Sequence, residues 1–272
     1  MKSLIKQYLP ATAPEWLVDA LAYETLMGSI TYGANDETSD IDVYAFVLPP
    51  KEIVYPHLIG AVQGFDTDYP KFEHYEALGI ETEVGNVNFN VYGLVKYLRL
   101  IADGNPNMLD SLFTDDKYVL TMTQPAQYLK AARKAFITLR AVKKCIGYSR
   151  GEYSRLSKTP APKRKPLVAA YGYDTKSAYH AVRMLLNAEQ MLSFGNIHLD
   201  AHAPFYQSIR KGEIPYEYLV NWYEKRVAKV YELLAENPID LPDRFNQRAV
   251  VANILKLVYP DAYVPMEIDG VW

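Results

Sequence analysis

Hydrophobic positions change their spacing several times along the first hundred residues. Residues 15–27 (EWLVDALAYETLM) follow Pro14, a good first-turn residue, with apolar side chains at helical spacing, and they run into Gly28-Ser29. That pattern predicts a short helix or a helix-to-strand segment. Residues 41–50 (IDVYAFVLPP) are β-branched, aromatic and apolar and are stopped by two prolines, which reads as a buried strand. The stretch 80–92 alternates. IETEV leads to a Gly85-Asn86 turn, and VNFNVY then puts Val87, Phe89 and Val91 on one face and Asn88 and Asn90 on the other, the pattern of a hairpin. From YGLVKYLRLIADG (92–104) onward the helical period dominates and predicts further helices near 105–113, 125–146, 175–194, 216–236 and 245–258. The expected fold class is therefore α+β, a small mixed β-sheet head (1–120) followed by a mostly helical domain (121–272). The Pro-rich, basic segment TPAPKRKP (159–166) is the candidate for a mobile connection.

Composition excludes several alternatives. The 272 residues are 49% hydrophobic, enough for a sizeable packed core rather than a disordered tail. The single cysteine, Cys145, has no disulfide partner and belongs to no Cys/His grouping of zinc spacing, which points to a reducing compartment. The segment MKSLIKQYLPATAPEW lacks the apolar run of a signal peptide, and no stretch reaches the ~20 apolar residues of a membrane span. The expectation is a soluble, cytoplasmic protein with no membrane partner. The apolar content does not fix an oligomeric state.

Net charge is −3, but the distribution carries more than the sum. Residues 1–129 hold 7 basic and 18 acidic side chains, whereas residues 130–176 hold 13 and 2. The basic section interleaves its cations with Tyr148, Tyr153, Tyr171 and Tyr173, the composition of a phosphate-binding strip with stacking rings. Lys143, Lys144, Arg150, Arg155, Lys163, Arg164 and Lys165 are its candidate nucleic-acid contacts. A solvated helix face followed by a linker is the plainer alternative for such a run.

The densest chemistry lies in GSITYGANDETSDIDV (28–43). Asp40 and Asp42, two apart at the entrance to a strand, share a face and suit a hard cation such as Mg²⁺ that takes oxygen ligands and leaves room for phosphates. Gly28 permits close backbone approach, and the Ser29 hydroxyl beside free N–H groups at a helical turn donates to a phosphate. Further along, Asp174 is placed to cap a helix on which Lys176, His180 and Arg183 fall on one stripe, three donors in the form of a phosphate rail. Asn105-Pro106-Asn107 with Asp110 reads as structural, capping and orienting the next helix.

The string G-S-x-x-Y-G followed by S-D-x-D before an apolar strand resembles the signature of the DNA polymerase β-like nucleotidyltransferase superfamily. The likeness runs on through YGLVKYLRLIADGNPNMLDSLF (92–113), YGYDTKSAYHAVRMLL (171–186) and IRKGEIPYEYL (209–219), which resemble the nucleotidyltransferases of the YcgL or RNA-ligase-associated type from bacteria and phages. The resemblance implies a nucleotidyltransferase head, with Asp40 and Asp42 as metal ligands for Mg²⁺ (or Mn²⁺) and an NTP held by Gly28, Ser29, Tyr32, Gly33 and Ser39. Lys176 and Arg183 would neutralise the β- and γ-phosphates, and His180 would donate a hydrogen bond or a proton there. It also implies an RNA or tRNA 3′ end as acceptor. One departure stands out: where the superfamily usually places a third carboxylate, this chain has Asn88, which carries no charge and is no general base. Glu83 is the candidate substitute. Adenylylation of a protein or small molecule, and a catalytically degenerate nucleotide- or RNA-binding module, remain the competing expectations.

Overall fold

The structure, a computed structural model, describes residues 2–36, 39–61, 71–156, 158–245, 253–254 and 256–258. Five strands, β1 Leu21–Met27, β2 Ile41–Val47, β3 His74–Thr82, β4 Gly85–Gly93 and β5 Val119–Met122, form one sheet in the order β3-β4-β2-β1-β5. It is a mixed sheet: β2 runs parallel to β4, and the remaining neighbours are antiparallel. The helices are α1 Ile5–Tyr8, α2 Lys51–Val54, α3 Leu94–Ala102, α4 Pro106–Phe113, α5 Gln124–Ala131, α6 Leu139–Tyr153, α7 Lys165–Tyr171, α8 Thr175–Phe194, α9 Ala203–Arg210 and α10 Tyr216–Glu236. The class is α+β, as the hydrophobic periods predict.

Alternation along β2 decides which way the chemistry faces. Val43, Ala45 and Val47 pack with Val87, Phe89 and Val91 of β4 beneath the N-terminal segment, in a cluster that also takes Leu4, Ile5 and Leu17. The opposite face carries Asp42, Tyr44 and Phe46, and Phe46 joins the larger core with Tyr97, Leu109 and the apolar side of α8. Asp42 therefore points toward the helices because its neighbours at odd positions are apolar. Helix α8 is the hub of that layer, buried along most of its length against α6, α9 and α10. Its ends follow from local chemistry: the Asp174 carboxylate accepts from the backbone N–H groups of Lys176 and Ser177 at 3.1 and 3.0 Å, and Gly195 closes the far end at φ +56°.

The structure corrects three expectations. The helix predicted over 125–146 is broken into α5, a 3₁₀ turn at Arg133–Phe136 and α6, because buried Phe136 and Ile137 divert the chain and the Thr138 hydroxyl caps a new helix at the Ala141 N–H (3.2 Å). The β3–β4 turn falls on Glu83-Val84 rather than Gly85-Asn86, since Thr82 pairs with Gly85. The segment 159–166 holds a 3₁₀ turn at Pro162–Arg164 and the start of α7. Of the helix expected over 245–258, residues 253–254 and 256–258 are helical; 246–252, 255 and the Lys163 side chain lie outside the described residues.

Candidate active site

Strand β1 ends at Met27 and the chain turns through a 3₁₀ helix, Gly28–Ile30. Gly28 sits at φ +68°, and a Cβ there would collide with Asp42 Oδ2, so glycine is required by both conformation and space. The loop closes where the Ala34 N–H donates to Ser29 O at 2.8 Å and the Thr31 hydroxyl donates to Gly28 O at 3.0 Å. Met27, Asp42 and Asn88 lie side by side across β1, β2 and β4. Asn88 Nδ2 donates to Asp42 Oδ1 at 3.0 Å. Its own oxygen accepts from the Gly79 N–H at 2.8 Å, a bond made possible by the irregularity between Ala77 and Ile80, with Gly79 at φ +64°. The amide is thereby fixed with its nitrogen toward the acids.

A cavity of about 360 Å³ opens above this strand end. Gly28, Ser29, Ser39, Asp40 and Asp42 form one wall, and Lys176, His180 and Arg183 of α8 with Arg210 of α9 form the other. Burial pushes the Asp42 carboxyl up; the Asn88 hydrogen bond and the Lys176 charge pull it back, and Asp40 adds to the rise. Across the cavity, burial pushes the Lys176 ammonium down, helped by Arg164 and Arg210 and opposed by Asp42 and Asp40. The two walls thus feel each other's charge. His180 is driven well below the ordinary histidine range by burial and then by the charges of Arg183, Lys176, Arg164 and Arg210. It is a neutral imidazole, which donates a hydrogen bond but holds no spare proton near neutral pH.

Arg183 differs from the rail expected of it. It is 3% exposed, its Nη1 donates to Asp110 Oδ2 at 2.9 Å, and its guanidinium lies 4.0 Å over the Tyr32 ring. The Tyr32 hydroxyl donates to the same Asp110 oxygen at 2.7 Å, and Asn187 Nδ2 donates to Asp110 Oδ1 at 3.1 Å. This buried cluster ties the Gly28 loop, α4 and α8 together. Asp110 is structural as its setting predicts, and the Asn105 side chain caps α4 by accepting from the Met108 N–H at 3.2 Å.

Of the residues singled out in the sequence, Tyr32 and Asn88 also line the cavity, whereas Gly33 and Glu83 do not. Gly33 takes φ +63° where a Cβ would strike Ala203, and Glu83 is exposed at the tip of the β3–β4 turn. Arg210, Tyr44, Tyr179, Asn107 and Met27 also line the cavity without being singled out as site residues in the sequence, and Tyr148, read there as a stacking ring of the basic strip, lines it too. Arg210 stands in the IRKGEIPYEYL block and Asn107 in the Asn-Pro-Asn turn, but nothing in their local patterns gives them a direction.

The basic section is less free than its composition implies. Lys144 pairs with Asp103 at 2.6 Å, Lys143 with Asp243 at 3.6 Å, Arg155 with Glu152 at 2.7 Å and Arg164 with Asp174 at 3.6 Å. Arg150 donates to the Tyr231 hydroxyl at 3.1 Å, and Lys165 is exposed. Its rings divide as well. Tyr173 is buried and Tyr153 stacks on Tyr223 with centroids 3.9 Å apart, while Tyr148 and Tyr171 stay exposed.

Among the described residues no group of three His, Cys, Asp or Glu side chains is arranged to hold a metal. The two carboxylates with the Ser29 hydroxyl nonetheless make an all-oxygen donor set, and Gly28 keeps the space beside Asp42 Oδ2 clear, which fits a hard divalent cation with substrate completing its shell. No helix among the described residues is long and apolar enough to cross a membrane.

No curated protein matches the chain. A crystal structure of a nucleotidyltransferase-like protein from Exiguobacterium sibiricum 255-15 is similar at 9% identity over 91% of this chain and 76% of that one, with a TM-score of 0.29. A family model described as the RNA repair pathway DNA polymerase beta family matches residues 1–204. With that match covering most of its length, the chain belongs to the RNA repair pathway DNA polymerase beta family.

Proposed function

We propose that this protein is a magnesium-dependent nucleotidyltransferase that moves a nucleoside monophosphate from an NTP to the 3′ hydroxyl of an RNA, with a tRNA under repair as the favoured acceptor. The observation that carries the reading is the apposition of Asp40 and Asp42 with Lys176 and Arg210 across one polar cavity. Acids on one side suit a cation, and cations on the other suit the triphosphate that the cation accompanies. A bound Mg²⁺, or Mn²⁺ in its place, supplies charge neutralisation and polarisation of the α-phosphate. Ser29 and the amides of its turn orient the phosphates, while Lys176 and Arg210 offset the charge of the departing pyrophosphate. The acceptor oxygen bonds to the α-phosphorus as the bond to the bridging β-phosphate oxygen breaks, and the hydroxyl proton leaves to water in the open cavity. Asn88 holds Asp42 and takes no proton. The description of the family as belonging to an RNA repair pathway supports RNA as acceptor, as do the exposed Lys143, Lys144, Arg150 and Lys165.

The acceptor is tested by incubating the protein with α-labelled NTPs, Mg²⁺ and tRNA whose 3′ end is either intact or oxidised with periodate. Label should enter intact tRNA and fail to enter the oxidised form. Equal labelling of both would exclude the 3′ hydroxyl. Tight NTP binding with no transfer to any acceptor would favour a silent binding module, the reading that Asn88 motivates.

A further inference from the structure

The acid pair, the Gly28 turn and the cations of α8 and α9 account for the charged part of the cavity. Among the described lining side chains without a task there, two belong to no hydrogen bond or ring pair, Tyr148 and Asn107. Tyr148 stands on α6 and is 40% exposed, in a chain whose Tyr23, Tyr97 and Tyr173 are all but sealed off. Asn107, the second residue of α4, lines the same cavity half-buried. Among the described residues neither side chain makes a hydrogen bond or a ring contact. Other asparagine amides have partners: Asn105 caps α4, Asn187 donates to Asp110, and Asn88 is fixed between Gly79 and Asp42.

The lining residues differ in charge: Asp40, Asp42, Lys176, Arg183 and Arg210 carry ionisable groups that suit a metal and phosphates, whereas Tyr44, Tyr148 and Asn107 offer rings and an amide. Tyr44 stands two residues beyond Asp42 on the same face of β2. A flat exposed ring and an amide with no side-chain partner, lining one cavity, are complementary to a nucleobase: every base has a face that stacks, and an asparagine amide matches the paired donor and acceptor of adenine.

We propose that Tyr148 and Asn107 form the nucleobase subsite of the incoming nucleotide, with Tyr148 stacking on the base and Asn107 selecting adenine. The Asn107 oxygen accepts from the N6 amino group and its nitrogen donates to N7. On that edge guanine presents two acceptors and the pyrimidines have no N7; cytosine offers a donor and acceptor only through N4 and N3 of a smaller ring that stacks less well on Tyr148. The assignment rests on the reading of the cavity as an NTP site and names which NTP that site prefers.

The test is a calorimetric titration of the full-length protein in Mg²⁺, without acceptor, using ATP, CTP and inorganic tripolyphosphate. Wild type should bind ATP more tightly than CTP. Tyr148→Ala should weaken ATP about tenfold and leave tripolyphosphate unchanged, and Tyr148→Phe should keep the wild-type affinity. Asn107→Ala should bring ATP and CTP to within about twofold of each other. Because tripolyphosphate reads the charged wall, its retention in both alanine variants also reports an intact fold. Equal affinity of wild type for ATP and CTP would overturn the adenine assignment, and an equal loss of ATP and tripolyphosphate in Tyr148→Ala would overturn the subsite. Either result leaves the NTP reading standing if tripolyphosphate binds wild type. If neither nucleotide nor tripolyphosphate binds, the NTP reading itself falls and takes the subsite with it.

Discussion

Asp42 and Asp110 are carboxylates that burial pushes in the same direction, upward, and the chain furnishes them in opposite ways. Asp110 is 1% exposed and accepts from Tyr32, Arg183 and Asn187, with the Arg183 charge beside it. Asp42 receives Asn88 on Oδ1 and turns Oδ2 toward the space that Gly28 leaves clear. A carboxylate satisfied entirely from within is architecture, because it neither needs nor admits an outside partner. One held by a single side-chain amide at a cavity wall keeps capacity for an external cation. Proximity to the site does not separate them, since the Asp110 cluster reaches the cavity through Tyr32 and Arg183. The number of internal donors does.

The comparison breaks most visibly at Asp110. Asp110→Ala leaves Arg183 buried without its counter-charge and should cost about 3–5 kcal/mol of stability in chemical denaturation. Asp42→Ala should cost little by the same measurement. Equal losses would mean that Asp42 is structural too. A smaller effect is expected at Asn88, which acts through Asp42. Asn88→Ala should weaken divalent-cation binding, followed by Mn²⁺ titration, by about 10–100-fold while leaving the melting temperature within a few degrees. Unchanged Mn²⁺ affinity would show that the Asn88–Asp42 hydrogen bond does not position the carboxylate.

The smallest effect is on pH dependence. The native pKa of Asp42 lies above its free value of about 3.9, so the folded chain binds that proton more tightly than the unfolded chain does. The resulting stability is fully present below the free value and is lost as pH rises through the raised one. Asp42→Asn should flatten the dependence of stability on pH in that window, measured by denaturation melts without divalent cation. In the opposite sense, cation binding by wild type should weaken as pH falls through the same raised pKa. A stability profile identical in Asp42→Asn and wild type would place the titration elsewhere.

What the sequence disclosed follows the same division. The bounds of α8 and α10 are legible because their stops are local: Asp174 and Gly195 for one, Pro215 and Asn237 for the other. The cluster Gly28, Ser29, Asp40 and Asp42 is legible because one loop and one strand bring it together. Arg183 lines the cavity as its stripe suggests, but its partner Asp110 lies 73 residues away, and the helical stripe says nothing about what faces it. The same limit applies to the basic section, whose counter-charges Asp103 and Asp243 come from outside it. The hairpin turn falls on Glu83-Val84 because Thr82 pairs with Gly85, and the separate irregularity near Gly79, which no local pattern announces, gives Asn88 its orientation. Side-chain period places a residue on a face, but not the distant group that satisfies it.

The central claim is that Asp40 and Asp42, facing Lys176 and Arg210, make this cavity a site of nucleotidyl transfer. The most direct test compares α-labelled with γ-labelled ATP in the presence of Mg²⁺ and tRNA, for wild type and for the Asp40→Ala, Asp42→Ala double variant. The account predicts that wild type moves the α label to RNA and releases the γ label as pyrophosphate, and that the double variant, folded as judged by its melt, loses transfer by on the order of a thousandfold. Transfer that persists undiminished in the double variant would contradict it.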